Sequence, residues 1–126
     1  MKIKNIVFDT NILIDYLQGR AEAECFLRTC VINYSKIFIS IISYIEVLVG
    51  ISDAEKRKKV SEWLGSFTPI MVCPDVAVQA ITLRQMFHLK VPDALIMATA
   101  KHCHAALATR DRDFRNIPDV LYPYTL

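Results

Sequence analysis

Four carboxylates occupy positions where an acid is either costly or aimed: Asp9, Glu46, Asp93 and Asp111. Asp9 directly follows Ile6-Val7-Phe8, which reads as a strand, and the carboxyl ends of strands in open α/β sheets form the usual ligand crevice. Capping the next helix is the plainer use of the same residue. Glu46 lies among Tyr44, Ile45, Val47, Leu48 and Val49, and a helix apolar almost all round is expected to be buried. Its neighbours at helical spacing, Ile42, Ser43, Val49 and Gly50, offer it no cation. A buried carboxylate is destabilising unless it finds a distant cation such as Arg84, a metal or a proton. Asp93 opens the apolar run Ala94-Leu95-Ile96-Met97-Ala98, at a helix start where the dipole already favours an acid. Asp111 and Asp113 follow the run Ala105 to Thr109, and a solvated Asp-Arg-Asp turn is the plainer reading of that pair.

Taken together the four positions say more than any one of them. An acid after the first strand, one inside an apolar helix, one opening another and one after a late strand can converge on a single crevice. Clustered carboxylates repel one another and need cations to coexist ionised. Oxygen ligands without histidine or thiolate select hard ions, Mg²⁺ or Mn²⁺ before Zn²⁺. Two such ions about 4 Å apart activate a water and stabilise the leaving oxygen of a phosphodiester. The chemistry indicated is metal-dependent phosphoester hydrolysis.

The elements that must position these acids alternate in type. Strands are expected at Ile3–Phe8, Lys36–Ser40, Pro69–Cys73 and Ala105–Thr109, with a possible fifth at Val120–Tyr122. Helices are expected through Leu17, over Ala21–Ile32 and Ile42–Ile51, from the cap Asp53 to Leu64, over Pro74–His88, and from Pro92 onward. That alternation predicts an α/β fold in three layers, with a central, mostly parallel sheet of four to five strands flanked by helices. The 126 residues fit one domain, and 53% hydrophobic against 22% charged residues excludes a disordered chain. The run Ile37–Leu48, interrupted by Ser40, Ser43 and Glu46, is no membrane span. The start Met1-Lys2-Ile3-Lys4-Asn5 does not read as a signal peptide, so a cytoplasmic location is expected. Cys25, Cys30, Cys73 and Cys103 are expected as reduced, mostly buried thiols. His102-Cys103-His104 lacks the second cluster that a zinc site needs.

Four blocks, in this order and spacing, make the chain recognisable: Val7-Phe8-Asp9-Thr10-Asn11-Ile12-Leu13, Ser40 through Gly50, Val91 through Ala100, and Leu107-Ala108-Thr109-Arg110-Asp111-Arg112-Asp113-Phe114. The sequence resembles the PIN-domain ribonucleases, and within them the VapC-like toxins of toxin–antitoxin pairs, nearly end to end. The resemblance implies one PIN domain over residues 1–126, with Asp9, Glu46, Asp93 and Asp111 as the catalytic acids that bind Mg²⁺ or Mn²⁺. It implies supporting polar groups at Asn11 and Thr109 and an auxiliary acid at Asp113. It further implies endonucleolytic hydrolysis of RNA, a protein antitoxin and a homodimer.

Arg110, Arg112 and Arg115 flank the fourth acid, where they could hold phosphates either side of a scissile bond. The run Lys56-Arg57-Lys58-Lys59 reads instead as a solvated helix face, with Glu55–Lys59 and Lys58–Glu62 pairs at helical spacing. Trp63, Leu64 and Phe67 are expected to pack that helix. Three alternatives remain open: a catalytically inert RNA- or partner-binding domain, a housekeeping RNA-processing nuclease, and a phosphatase of the haloacid dehalogenase type. The last wants a second aspartate two positions after Asp9, where Asn11 stands.

Overall fold

All five strands of the sheet run in one direction, so their carboxyl ends open on one edge. The computed structural model describes residues 4–126; Ile3, at which the expected first strand begins, lies outside them. In chain order the elements are β1 (Asn5–Phe8), α1 (Thr10–Leu17), α2 (Ala21–Asn33), β2 (Lys36–Ser40), α3 (Ile41–Val49), α4 (Ala54–Gly65) and β3 (Pro69–Ile70). They continue as α5 (Pro74–Phe87), α6 (Val91–His102), β4 (Ala105–Ala108), a 3₁₀ turn over Arg112–Phe114, and β5 (Val120–Leu121).

The spatial order is β3-β2-β1-β4-β5, with β1 in the centre. Ile6 pairs with Ile37 on one side and with Ala106 on the other. The chain fills one half of the sheet outward from β1, then returns through α5 and α6 to lay β4 on its other side. That reversal creates a switch point, and in such sheets the crevice lies beside it, at the strands' carboxyl ends.

Alternation along β1 divides the core in two. Ile6 and Phe8 face a cluster with Ile12, Leu13, Leu27, Ile39, Val60 and Leu64. Val7 faces the opposite cluster, with Val76, Leu83, Ile96, Met97 and Phe114. A parallel strand covered on both faces needs apolar residues throughout, which is why these runs do not alternate with polar ones. Trp63 stacks on Tyr16, their ring centroids 5.0 Å apart, while Phe67 meets Phe8 edge-on, so these side chains pack as the sequence suggests.

Two expectations change. The third strand, expected over Pro69–Cys73, holds only Pro69–Ile70, an edge strand that ends before Pro74 starts α5. The helix expected to be buried all round is half open: in α3 only Ser43 and Val47 are buried, and Ile45, Glu46 and Val49 are exposed. Capped by Ser40 at the very end of β2, this helix leaves the sheet along its carboxyl edge and packs on one side only. Of the four thiols only Cys30 is buried; Cys25 is exposed and the other two lie between.

Candidate metal centre

Asp9 caps α1 and is only 4% exposed. Its carboxylate accepts three kinds of neutral donor. Thr10 N–H reaches Oδ1 at 2.7 Å, the Thr109 hydroxyl donates to Oδ2 at 2.6 Å, and Asn11 Nδ2 lies 3.3 Å from the same oxygen. Burial pushes this carboxyl up to about 6, with Asp93 and Asp111 pushing the same way against the Thr109 and Thr10 hydrogen bonds. Asp9 therefore caps α1 and at the same time stands beside Asp93 and Asp111.

Asp93 lies in the first turn of α6, fixed there by Pro92, whose ring suits a helix start. Asp111 follows β4 and caps the 3₁₀ turn through Asp113 N–H. Carboxylate oxygens of Asp93, Asp111 and Asp113 all lie within 4.8 Å of one another. Burial raises the Asp93 carboxyl, and Asp111, Glu46 and Asp113 raise it further, with Lys90 opposing. Asp113, expected only as an auxiliary, thus stands in the tightest group of acids in the described residues.

Glu46 comes to the same crevice by a different route. Its Oε1 accepts the Thr10 hydroxyl at 2.6 Å, and Thr10 Oγ1 lies 3.0 Å from Ser43 Oγ. Burial does not hold this residue, whose side chain is exposed. Nor does Arg84 pair with it: that guanidinium donates to the Leu89 carbonyl at 2.6 Å. What places Glu46 is Thr10, which immediately follows Asp9 and carries no sign of this contact in the sequence.

Thr109 links the two ends of the site. While donating to Asp9 it accepts the Asp111 N–H at 2.9 Å, and Asn11 Oδ1 accepts the Arg110 N–H at 3.1 Å. Among the described residues one ion pair forms, Arg110 with Asp15, and none of the crevice acids takes part in it. A donor set of carboxylate oxygens, mutually repelling and without a cationic side chain bound to it, fits a hard divalent cation.

The basic residues separate into distinct groups. Arg110 pairs with none of the crevice acids, its guanidinium gripping Asp15 at 2.6 and 2.9 Å. Arg112 lies over the Tyr122 ring, 4.4 Å from its centroid, and Arg115 donates to the Arg112 carbonyl, both of them exposed beside the acidic turn. On α4 the run Lys56–Lys59 is exposed as expected. The pairs expected to balance it, Glu55–Lys59 and Lys58–Glu62, do not close among the described residues. Arg57 instead donates to the Ile51 carbonyl.

Comparison with known proteins gives a consistent family. The family model described as PIN domain matches residues 6–120. Among curated proteins none matches the sequence. A chain of a toxin–antitoxin complex from Klebsiella pneumoniae is 38% identical, with a TM-score of 0.88, over 96% of this chain and 99% of that one. VapBC2 from Rickettsia felis, solved bound to a DNA fragment from its promoter, superposes with a TM-score of 0.78 at 21% identity, over 93% and 96% of the two chains. FitAcB from Neisseria gonorrhoeae gives 0.76 at 22% identity, over 96% and 99%.

Proposed function

The chain belongs to the PIN-domain family, and from that premise we propose that it is a Mg²⁺- or Mn²⁺-dependent endoribonuclease, the toxin of a toxin–antitoxin pair. The single observation that carries this reading is the group Asp93, Asp111 and Asp113 beside Asp9, acids crowded together with no cationic side chain bound to them. Asp9, Glu46, Asp93 and Asp111 would hold the cations, with Asp113 able to join them. When bound, the cations supply an activated water and charge neutralisation for a phosphodiester.

The remaining residues set up that centre. Thr10, Asn11 and Thr109 fix the Asp9 oxygens, so the ligand geometry exists before a cation arrives. Arg112 and Arg115, exposed next to Asp111, would meet phosphates on either side of the cleaved bond, a role their exposure supports. Arg110 is occupied by Asp15 and leaves that task to them.

The likeness to the Klebsiella chain supports a protein antitoxin. So does a cleft lined by Ile14, Leu17, Val47 and Ile51 that leads to Glu46, on a helix whose Ile45 and Val49 are exposed. No helix of the described residues is long and apolar enough to cross a membrane. A homodimer acting in the cytoplasm completes the proposal.

The deciding experiment is cleavage of single-stranded RNA by the purified protein. Cleavage is expected with Mg²⁺ or Mn²⁺, and neither with excess EDTA nor from an Asp93→Asn preparation. Cleavage by the wild type in EDTA, absent from the variant, would remove the metal from the reading. Binding of RNA without cleavage under any divalent ion would select the inert alternative.

A further inference from the structure

Asp15 is 2% exposed, more deeply buried than Asp9, yet its partners are Arg110 and Tyr124 and none of the crevice acids. Its two oxygens take Arg110 Nε at 2.6 Å and Nη2 at 2.9 Å, and the Tyr124 hydroxyl donates to Oδ2 at 2.9 Å. Asp15 and Asn11 are four residues apart on α1 and so share one face of it. Asn11 accepts the backbone N–H of Arg110 while Asp15 takes its guanidinium. One helix face therefore holds a single residue at two points, through its main chain and its side chain.

What that residue joins gives the grip its meaning. Thr109, on one side of Arg110, donates to Asp9; Asp111, on the other, belongs to the acid cluster. Two further bonds steady the turn, from Asp111 N–H to Thr109 Oγ1 and from the Tyr122 hydroxyl to the Asp111 carbonyl at 3.0 Å. A buried ion pair is weak as a source of stability, since desolvation offsets most of the attraction. A bidentate guanidinium–carboxylate pair is instead strongly directional.

We propose that Asp15 and Arg110 are positioning residues for the metal centre: with Asn11 they fix the Thr109–Asp111 turn, and hence where Asp111 stands relative to Asp9. The catalytic consequence rests on the nuclease reading; the geometric one does not.

The test uses the full chain with Asp15→Asn and, on the partly exposed side of the pair, Arg110→Gln. In the metal-free proteins, the Arg110 and Asp111 amides are expected to exchange hydrogen about ten-fold faster than in the wild type, while the Leu107 amide in β4 keeps its protection. Mn²⁺ affinity should weaken in both variants. Turnover of RNA should fall by about 10- to 100-fold, the usual effect of misplacing a group, with KM and its salt dependence unchanged. Wild-type protection of both amides in both variants would overturn the proposal. So would faster exchange spread equally over the sheet, which marks a purely structural pair.

A raised KM for Arg110→Gln, with a log–log salt slope reduced by about 0.7, would return this arginine to the RNA path and also overturn it. If Asp15→Asn does not fold, Arg110→Gln carries the same measurements. If the wild type neither binds Mn²⁺ nor cleaves RNA, the nuclease reading fails, and amide exchange alone decides the positioning role.

Discussion

Asp9 and Asp15 are the two buried carboxylates of the described residues, one capping α1 and the other near its end. Their surroundings are opposite. Asp15 has a guanidinium on both oxygens and a phenol besides. Asp9 has only neutral donors, and its charged neighbours Asp93 and Asp111 carry its own sign. Asp15 is complete within the fold, whereas Asp9 is left with a charge that the fold does not balance. The difference teaches how to sort buried acids: a carboxylate with its own cation holds the structure, and one among like charges awaits something from outside.

The comparison breaks first on activity. Asp93→Asn should lower RNA cleavage by at least about 10³-fold, as removal of a metal ligand does, while Asp15→Asn keeps measurable turnover. Equal loss in the two variants, by initial rates under Mn²⁺, would erase the distinction.

It sharpens next on pH. The Asp9 carboxyl is raised from 3.8 to about 6 in the fold. Between those values the native state binds more protons than the unfolded chain, so this group's contribution is full below the lower value and is lost as pH rises through the upper one. The loss is about 3 kcal/mol between pH 3 and pH 7. Urea titrations of the metal-free wild type and Asp9→Asn across that range should show it in the difference between them. Added Mg²⁺, binding only the folded site, should restore stability to the wild type at pH 7. A parallel pH dependence in both proteins would show that Asp9 does not carry it.

A smaller effect, opposite in sign at the two places, follows from neutralising one acid. Asp15→Asn leaves Arg110 without its charge partner and should destabilise by about 1–3 kcal/mol, below the figure for a fully buried pair because Arg110 is 33% exposed. Asp93→Asn relieves repulsion and desolvation and should raise the melting temperature of the metal-free protein. Melting both variants below the wild type would make Asp93 a structural acid like Asp15. The smallest effect concerns the exposed arginines: Arg112→Ala and Arg115→Ala should each flatten the log–log salt slope of RNA binding by about 0.7. An unchanged slope in both would remove them from the RNA path.

β1, β2 and β4 are legible because each is an apolar run that stops at a polar residue, Asp9, Ser40 and Thr109, and β2 is found at Lys36–Ser40 as expected. β3 was overextended because Met71 and Val72 look like strand interior, yet at the sheet's edge they lie outside it. The positions of Asp9, Asp93 and Asp111 could be read from the strand and helix ends beside them. Glu46 does stand near Asp93, but burial is not what brings it there. Apolar neighbours such as Ile45 and Val49 signal burial only when something covers them, and a sequence does not state what covers a helix. The sequence points neither to Asp15 nor to a structural partner for Arg110, for one shared cause: their contact joins residues 95 apart, and neither carries a local sign of the other.

The switch point at β1 also has a bearing on synthesis. Asp9 meets Thr109 across 100 residues of chain, and Asp15 meets Tyr124 across 109. Chains grow from the amino end at roughly 5–20 residues per second. Through most of its translation, then, the growing polypeptide contains Asp9 and Glu46 but lacks Asp93, the strand β4 and Asp111, which are added only from residue 93 onward. The acid group is completed only when β4 pairs with β1, so on the proposed nuclease reading the centre forms only once nearly the whole chain has been made.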